Sequence, residues 1–316
     1  MTIAQVQIPN TSTLPSMHTE ETLQRPEFAE FRDERSQTTR AGHLAVSLLK
    51  DVQFVVRYRI EGSTLEEKIG RKVFWNPVET GVSDWSQDST AASFFIHGVH
   101  GVPQIWTDHI KNIVKEHPKM DIRAFYVPKK GDCGVNVAIC DIVKVIRSYH
   151  AAHPGRPIAV YGVSNGARAL LHIDKALEDL NETPILFQSI AGPHHGSYMM
   201  DLVSQIGLTF LFSKESVDEL QLENQKSKDI IDYLRKRKFN PLRAYDFYAT
   251  ECDAHVRASL IGNIHMVSLP ILAKGETHIL LKGDKMAGHS NIVEEICSMQ
   301  LDRMKRWLLT DWKNFL

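Results

Sequence analysis

A serine flanked by glycines stands between an apolar run and a helical pattern near the middle of the chain. The stretch GVSNG (162–166) joins IAVYGV (158–163) to GARALLHIDKALEDL (166–180). A sharp turn from a strand into a helix would raise the Ser164 hydroxyl above the edge of a sheet and leave the next backbone N–H free at the start of the helix. The pattern predicts a nucleophile at Ser164, with a small polar residue in a glycine-rich bend as the alternative.

A serine hydroxyl is a weak nucleophile until a base takes its proton, and that base needs an acid to orient it. In folds with this strand–serine–helix turn, the two partners come later in the chain, in the order Asp or Glu, then His. His289 has that position, because it follows the apolar run THILLKG (277–283) in a loop between Gly288 and Ser290. We expect His289 to be the base; a solvated loop histidine is the alternative.

The acid is expected in the loop after YDFYAT (245–250), which contains Glu251 and Asp253. Asp253 is preferred, because it lies three residues beyond the apparent end of the strand and its carboxylate would hold the histidine in the right tautomer. Glu251 stays open as the alternative. Asp246 lies near the beginning of its strand and is expected at the wrong edge of the sheet, whereas Asp284 is expected to cap a turn.

Acyl transfer also needs N–H donors for the oxyanion that develops on the carbonyl oxygen. The run ASFFIHGVHG (92–101) leads from a strand into a loop with glycines, where the backbone can approach a ligand closely. We expect the backbone N–H groups of Val99 and Asn165 to form the oxyanion hole. His97 is expected to be structural, bonded to nearby backbone, and His100 is a candidate substrate contact.

Apolar runs and helical patterns alternate along the chain, and the strands and helices that they predict must position these residues. Continuous apolar runs suit strands covered on both faces, and their alternation with amphipathic helices predicts a mostly parallel sheet. The strand-like runs are VQFVVRYRI (52–60), RKVFW (71–75), ASFFIHG (92–98), IRAFYV (122–127), IAVYGV (158–163), ILFQSIA (185–191), YDFYAT (245–250) and THILLKG (277–283). The helical patterns cover residues 135–150, 166–180 and 292–312. The predicted fold class is α/β, with a mixed, mostly parallel central sheet and helices on both faces.

Three segments together resemble α/β-hydrolases, and among them the bacterial triacylglycerol lipases and esterases with a GxSxG motif. IHGVHG (96–101) is similar to the oxyanion loop of these lipases, and VYGVSNGA (160–167) is similar to their nucleophile elbow. SIAGPHHGSYMMD (189–201) is similar to the segment after the next strand. This third likeness is the most specific, because its PHHGS part (193–197) has no role in a general hydrolase triad.

The resemblance implies the α/β-hydrolase fold and a serine hydrolase, with Ser164, Asp253 and His289 as the triad and Val99 and Asn165 as oxyanion-hole donors. The sequence departs from the family in two respects. Its elbow has valine where the lipases usually have histidine, and the pair of aspartates that binds calcium in many of them is not identified. No metal or cofactor is therefore predicted. About fifty N-terminal residues have no counterpart in the family.

One domain with an N-terminal extension is predicted. Residues 1–42 are polar with little periodicity and are interpreted as a flexible tail, and residues 43–316 as the α/β-hydrolase domain. An insertion at about 197–244 is not needed by a minimal sheet. Its first part places apolar residues on one helical face, and either a mobile lid over an acyl pocket or an ordinary packed helix would have this pattern. Met199 and Val203 on this face are predicted substrate contacts.

The balance of charges restricts the class of partner. Lys and Arg number 37 and Asp and Glu 38, so the formal charge is −1 and nucleic acid is not an expected partner. The first residues lack a basic start followed by an apolar run, and no stretch approaches about 18 uninterrupted apolar residues, so neither a Sec signal peptide nor a spanning helix is predicted. The expected location is the cytoplasm, or the exterior by a route without a Sec signal, with transient membrane-surface contact through the lid-like insertion.

The expected activity is serine-dependent hydrolysis of carboxylic esters. A lipid-like acyl ester is the expected substrate, because apolar residues are predicted around the pocket. A thioesterase or an acyltransferase would use the same triad. The alternative from a different class is a non-catalytic protein of this fold, used for binding or as a secreted interaction protein, with the N-terminal tail as its recognition segment.

Overall fold

The structure, a computed structural model, describes residues 4–6, 37–76, 84–222, 224–250, 253, 276–281 and 287–310. Its strands are β1 (Ala4–Val6), β2 (Phe74–Trp75), β3 (Ala91–Ile96), β4 (Met120–Phe125), β5 (Ile158–Val163), β6 (Ile185–Ile190), β7 (Arg243–Thr250) and β8 (Glu276–Leu281). They form one sheet in the order β1-β8-β7-β6-β5-β3-β4-β2. All neighbouring strands are parallel except the edge pair of β1 and β8. The predicted mixed, mostly parallel sheet is therefore confirmed.

Helices connect most of these strands. The α-helices of the described residues are α1 (Gln37–Gly62), α2 (Leu65–Ile69), α3 (Thr107–Glu116), α4 (Val135–Ala152), α5 (Asn165–Ala176), α6 (Tyr198–Gln205), α7 (Lys214–Leu220), α8 (Gln225–Lys236), α9 (Ile292–Glu295) and α10 (Cys297–Leu308). Short 3₁₀ helices cover Pro103–Trp106, Pro128–Gly131 and Thr209–Leu211. The predicted helix at 292–312 is thus divided into α9 and α10 at Ile296, and its last two residues lie outside the described part.

Each face of the sheet has its own apolar core. The core that joins the sheet to α1, α3 and α10 includes Phe54, Tyr58, Ile110, Met304 and Trp307. The core that joins the sheet to α4, α5 and α8 includes Ile142, Ile146, Leu170, Ile231 and Leu234. Because both faces are covered, every residue of β3 to β7 is buried, and strands β3 and β5 are apolar almost throughout rather than alternating.

The strand register brings the candidate residues to one edge of the sheet. Central strand β5 pairs with β3 on one side and β6 on the other, so that Gly162 lies opposite both Ile96 and Ser189. On the far side, Thr250 at the end of β7 lies opposite Leu281 at the end of β8. Parallel strands end at the same edge, so the segments after β3, β5, β6, β7 and β8 meet there.

The prediction of a strand at 52–60 is wrong, because these residues belong to α1. The buried residues Ser47, Asp51, Phe54 and Tyr58 are spaced four, three and four positions apart, as on one face of a helix. Two of the four are polar, so the apolar residues alone did not reveal this period, and the many valines favoured a strand. Burial of Phe54 and Tyr58, each stabilising by about 1.5–3 kcal/mol, outweighs that local preference.

The predicted N-terminal tail contains regular structure in its described parts. Helix α1 begins at Gln37, so six residues of the predicted tail 1–42 are helical, and β1 adds a strand to the edge of the sheet. Residues 7–36 lie outside the described residues. The division of the chain at residue 42 therefore stays a prediction.

Candidate active site

The turn after β5 holds Ser164 in a strained backbone conformation. Ser164 has φ 57° and ψ −128°, a combination that residues other than glycine rarely adopt. Its N–H donates to the carbonyl oxygen of Ile190 at 2.9 Å, and its own carbonyl accepts from the N–H of Ala167 at 2.9 Å as α5 begins. Ser164 is thus fixed on both sides at the junction of strand and helix, as a nucleophile elbow requires.

The glycines on either side of Ser164 permit two close backbone contacts. A Cβ atom on Gly162 would lie 2.4 Å from the carbonyl oxygen of Gly166, and a Cβ atom on Gly166 would lie 2.5 Å from that of Ile96. Neither distance is compatible with a side chain unless the backbone moves. The contacts pack the start of α5 against the ends of β5 and β3, and this explains the GxSxG spacing.

The loop after β3 packs directly against Ser164. A Cβ atom on Gly98 would lie 2.5 Å from the Ser164 Cβ and 2.9 Å from its Oγ. Within this loop, Nδ1 of the buried His97 lies 2.8 Å from the carbonyl oxygen of Gly98, and its Nε2 accepts from the N–H of Val127 at 3.1 Å. These partners fix the tautomer with the proton on Nδ1, and burial lowers the pKa of His97 to about 4. His97 is a neutral residue bonded to backbone, in agreement with the structural role expected for it.

The two expected oxyanion donors belong to the segments on either side of this contact. Val99 follows Gly98, and Asn165 is the first residue of α5. Among the described residues, neither backbone N–H has a hydrogen-bond acceptor. The Asn165 side chain donates from Nδ2 to the carbonyl oxygen of Gly131 at 3.2 Å, and a Cβ atom on Gly131 would lie 3.2 Å from the Val99 nitrogen. Asn165 therefore also links α5 to the segment beside Val99, a contact that the sequence did not indicate.

Asp253 and His289 form a buried pair beyond β7 and β8. Nδ1 of His289 lies 2.8 Å from Oδ2 of Asp253. Burial by itself would lower the pKa of His289, but the charge and hydrogen bond of Asp253, together with the charge of Asp51, raise the pKa above its ordinary value. When Nδ1–H donates to the carboxylate, Nε2 keeps a lone pair that can accept a proton. The alternative acid Glu251 lies outside the described residues, as does Asp284, which was expected to cap a turn.

Asp51 of α1 contacts the same histidine loop, and sequence reasoning missed it. Its carboxylate accepts from the backbone N–H groups of His289, Ser290 and Asn291, at 3.0, 2.7 and 2.8 Å. A Cβ atom on Gly288 would lie 2.6 Å from Oδ2 of Asp51, so the loop backbone touches the carboxylate. Burial raises the pKa of Asp51, although the Asn291 and Ser290 donors and the charge of His289 oppose this effect. No local signal in the sequence could have located it, because Asp51 lies 238 positions from His289.

The PHHGS segment fixes the backbone after β6. Nε2 of the buried His194 lies 2.7 Å from the Oγ of Ser189, near the end of that strand. The N–H of Ser197 donates to the carbonyl oxygen of Leu220 at 2.8 Å. This segment therefore joins the sheet edge to the end of α7 and orients the insertion that follows it.

The insertion exposes apolar side chains. Leu202, Ile206 and Phe210 are 53%, 57% and 76% exposed, so most of the apolar face predicted for this segment does not pack against the body of the described protein. Neighbouring Met200 is buried instead, in a cluster with Val217 and Leu220 of α7. The first part of the insertion thus has one anchored side and one exposed apolar side.

The predicted substrate contacts lie on or beside the insertion. Met199 and Val203 are half-buried residues of α6. The exposed His100 has its ring centre 5.5 Å from that of Phe212. Val99 and Phe212 both pack against the Met200 cluster. The insertion therefore contacts the loop that carries the expected oxyanion donor.

The described residues contain neither a candidate metal site nor a candidate membrane-spanning helix. No group of three or more His, Cys, Asp or Glu side chains there is arranged to hold a metal ion. No helix in that part of the chain is both long enough and apolar enough to cross a bilayer.

No protein-family model matches the chain, and no curated protein matches it. Several solved structures are similar at low identity. Phospholipase PlaB from Legionella pneumophila is 16% identical with a TM-score of 0.40, over 50% of this chain and 39% of that one. Lipase B from Aspergillus fumigatus is 13% identical with a TM-score of 0.43, over 63% and 46%. The peroxisomal α/β-hydrolase Lpx1 from Saccharomyces cerevisiae is 11% identical with a TM-score of 0.48, over 72% and 79%.

At these identities and TM-scores, the likenesses carry no conclusion about activity or substrate. The fold follows from the strand order and turns of this chain. Its central strand β5 ends in a strained serine turn that opens α5, and an acid and a histidine follow later strands in that order. A mostly parallel sheet with this arrangement defines the α/β-hydrolase fold, and that is the fold of this chain.

Proposed function

We propose that this chain is a serine-dependent carboxylic ester hydrolase with Ser164, Asp253 and His289 as its triad. The observation that carries the proposal is the buried Asp253–His289 pair, 2.8 Å apart, at the sheet edge where Ser164 occupies its strained turn. A histidine whose pKa is raised by a carboxylate has the properties of a general base. Among the described residues, the Ser164 Oγ has no hydrogen bond. The hydrogen bond between a catalytic serine and its histidine is often long before substrate binds and shortens only in the complex with substrate.

In the proposed acylation step, Nε2 of His289 takes the proton from the Ser164 hydroxyl. The Ser164 Oγ forms a bond to the acyl carbon, and the carbonyl electron pair moves onto oxygen. Asp253 stabilises the imidazolium that results. His289 then returns the proton to the alcohol oxygen as its bond to the acyl carbon breaks, which leaves an acyl-serine.

The oxyanion is proposed to receive hydrogen bonds from the backbone N–H groups of Val99 and Asn165. Support comes from their lack of other acceptors among the described residues, and from the contact of Gly98 with Ser164. Each such donor stabilises the transition state by about 3 kcal/mol. Water then attacks the acyl-serine with His289 again as the base, and the acid product leaves.

A lipid-like acyl ester is the proposed substrate class, with the insertion at about 197–244 as a lid. Exposed Leu202, Ile206 and Phe210 lie on a segment that also packs against Val99. Contiguous exposed apolar surface marks interaction with lipids or ligands. His100, Met199 and Val203 are proposed to contact the acyl chain, and the lid to touch a membrane surface transiently.

The proposal is tested with a fluorophosphonate probe and p-nitrophenyl esters of increasing chain length. The wild-type chain should be labelled and active, and Ser164→Ala should lose labelling and at least about 10⁴-fold in kcat. Ser63→Ala, at an exposed serine after α1, should behave as wild type. A folded wild-type protein without labelling or turnover would leave the non-catalytic binding protein as the better interpretation.

The same experiment separates the related activities. Adding acyl thioesters, and alcohols as acceptors, shows whether the acyl-serine forms from a thioester or transfers to an alcohol rather than to water. Preference for a thioester or for alcohol transfer would keep the triad and replace the proposed substrate class.

A further inference from the structure

The loop that carries His289 is held by backbone hydrogen bonds to one carboxylate. The N–H groups of three successive residues, 289–291, donate to Asp51 at 2.7–3.0 Å. Oδ1 accepts two of these bonds, and Oδ2 accepts the one from His289 itself. Asp51 is only 6% exposed. Converging backbone N–H groups favour an anion, and hydrogen bonds to a charged acceptor are stronger than those to a neutral one.

Other contacts hold the remaining sides of this loop. The Thr250 hydroxyl donates to the carbonyl oxygen of Ala287 at 2.7 Å, and the N–H of Gly288 donates to Oδ1 of Asn291 at 2.6 Å. Asp51 in addition attaches the loop to helix α1. That helix is anchored independently, through Phe54 and Tyr58 in the core. A rigid helix thus sets the position of the carboxylate, and the carboxylate sets the position of the loop.

We infer that Asp51 is a positioning residue for His289: its carboxylate holds the backbone of residues 289–291 and places a second negative charge beside the imidazole. The inference rests on the proposed function. Among the described residues, the titratable groups that act on His289 are Asp253 beyond β7 and Asp51 on α1. Both favour the imidazolium that forms when Ser164 loses its proton. Asp51 does so without touching substrate.

The substitution Asp51→Asn separates this role from simple packing. Its side chain has nearly the same shape, and its amide oxygen can still accept the two bonds now made to Oδ1, whereas the charge and the bond from the His289 N–H are lost. We expect kcat/KM to fall about tenfold through kcat, with KM unchanged, because the base is displaced by a fraction of an ångström. The acid limb of the pH–rate profile should move to lower pH, because His289 loses a charge that raises its pKa.

Two further variants exclude a general loosening of α1. Arg57→Ala removes the contacts of the Arg57 guanidinium with Asp108 and Glu294, whereas the bonds from Asp51 to the histidine loop remain, so its acid limb should stay at the wild-type pH. Asp51→Glu keeps the charge but shifts it by one methylene, so its kcat should fall while the acid limb stays near the wild-type pH. Melting temperatures of all variants report on folding, and Asp51→Glu serves as the test if Asp51→Asn does not fold.

The outcomes distinguish this inference from the proposed function. An active wild-type chain whose Asp51→Asn variant keeps the wild-type acid limb, or shifts it upward, overturns the inference alone. The inference alone is also overturned if Asp51→Glu moves the acid limb as far as Asp51→Asn does. It is likewise overturned if Asp51→Glu keeps the wild-type kcat. A wild-type chain that neither reacts with the fluorophosphonate nor hydrolyses esters at any pH overturns the proposed function, and the inference with it.

Discussion

Replacing Gly98 with alanine would place a methyl group against the side chain of Ser164. The new Cβ atom would lie 2.5 Å from the Ser164 Cβ and 2.9 Å from its Oγ. Carbon atoms in packed proteins approach to about 3.5–4.0 Å, so the loop or the serine must move by about 1 Å. Gly98 does not have a positive φ, so the effect would come from the methyl group and not from backbone strain.

A displacement of about 1 Å at reacting groups lowers the rate about a hundredfold. This corresponds to about 2.7 kcal/mol of lost transition-state stabilisation. The measurement is kcat/KM on a soluble p-nitrophenyl ester, together with the rate of fluorophosphonate labelling and the melting temperature. We expect Gly98→Ala to lose activity and labelling rate together, with a smaller change in stability.

Two glycine variants serve as controls for Gly98→Ala. Gly42→Ala lies in α1 with no atom within 4 Å of the new Cβ, so its activity should equal that of wild type. Gly166→Ala would press a Cβ atom against the backbone oxygens of Ile96 and His97, at 2.5 and 2.7 Å, so it should lower the melting temperature as well. Wild-type kcat/KM in a folded Gly98→Ala protein would refute the packing of this loop on Ser164.

Three more predictions follow from the described contacts. Asp253→Asn should lower kcat by about 10³-fold or more and move the acid limb to lower pH, because the pKa of His289 is raised by Asp253 and activity needs the neutral imidazole; an unchanged pH–rate profile would contradict the pairing. Burial lowers the pKa of His109 to about 4, so below pH 6.5 the unfolded state binds more protons at this residue, and its contribution to the free energy of unfolding should fall by about 2 kcal/mol from pH 7 to pH 5. Urea unfolding of His109→Phe should show a drop smaller by that amount, and equal drops would argue against it. Phe210→Ser should reduce turnover of vesicle-borne long-chain esters about tenfold without affecting a soluble short ester. Leu309→Ser, at a similarly exposed residue after α10, should change neither, and equal effects of the two substitutions would speak against a lid.

Sequence patterns correctly predicted those parts of the fold that depend on only a few neighbouring residues. The strand β5, the turn at Ser164 and the start of α5 follow from a buried apolar run and two glycines within five residues. The strands that precede the candidate residues were also predicted correctly. Continuous apolar runs indicate strands that are buried on both faces. The same reasoning failed at 52–60, because these residues continue a helix whose buried face begins with the polar Ser47 and Asp51.

The candidate site was harder to predict than the strands, because its residues are far apart in the chain and meet only in the folded protein. The sequence left Asp253 and Glu251 as alternative acids, since both follow the same strand, and only the folded chain brings Asp253 within 2.8 Å of a histidine 36 positions away. It gave no indication of Asp51, which lies 238 positions from His289.

The sequence by itself determined strands β2 to β8, helices α4 and α5, the glycine-flanked turn at Ser164 and the later positions of an acid and a histidine. These are properties of short segments, set by apolar periodicity and backbone sterics. Tertiary structure alone decided that residues 37–62 form a helix, that Asp51 bonds to the histidine loop and that Leu202, Ile206 and Phe210 are exposed. Each depends on packing between segments far apart in the chain, and no local pattern encodes which distant surface a residue will meet.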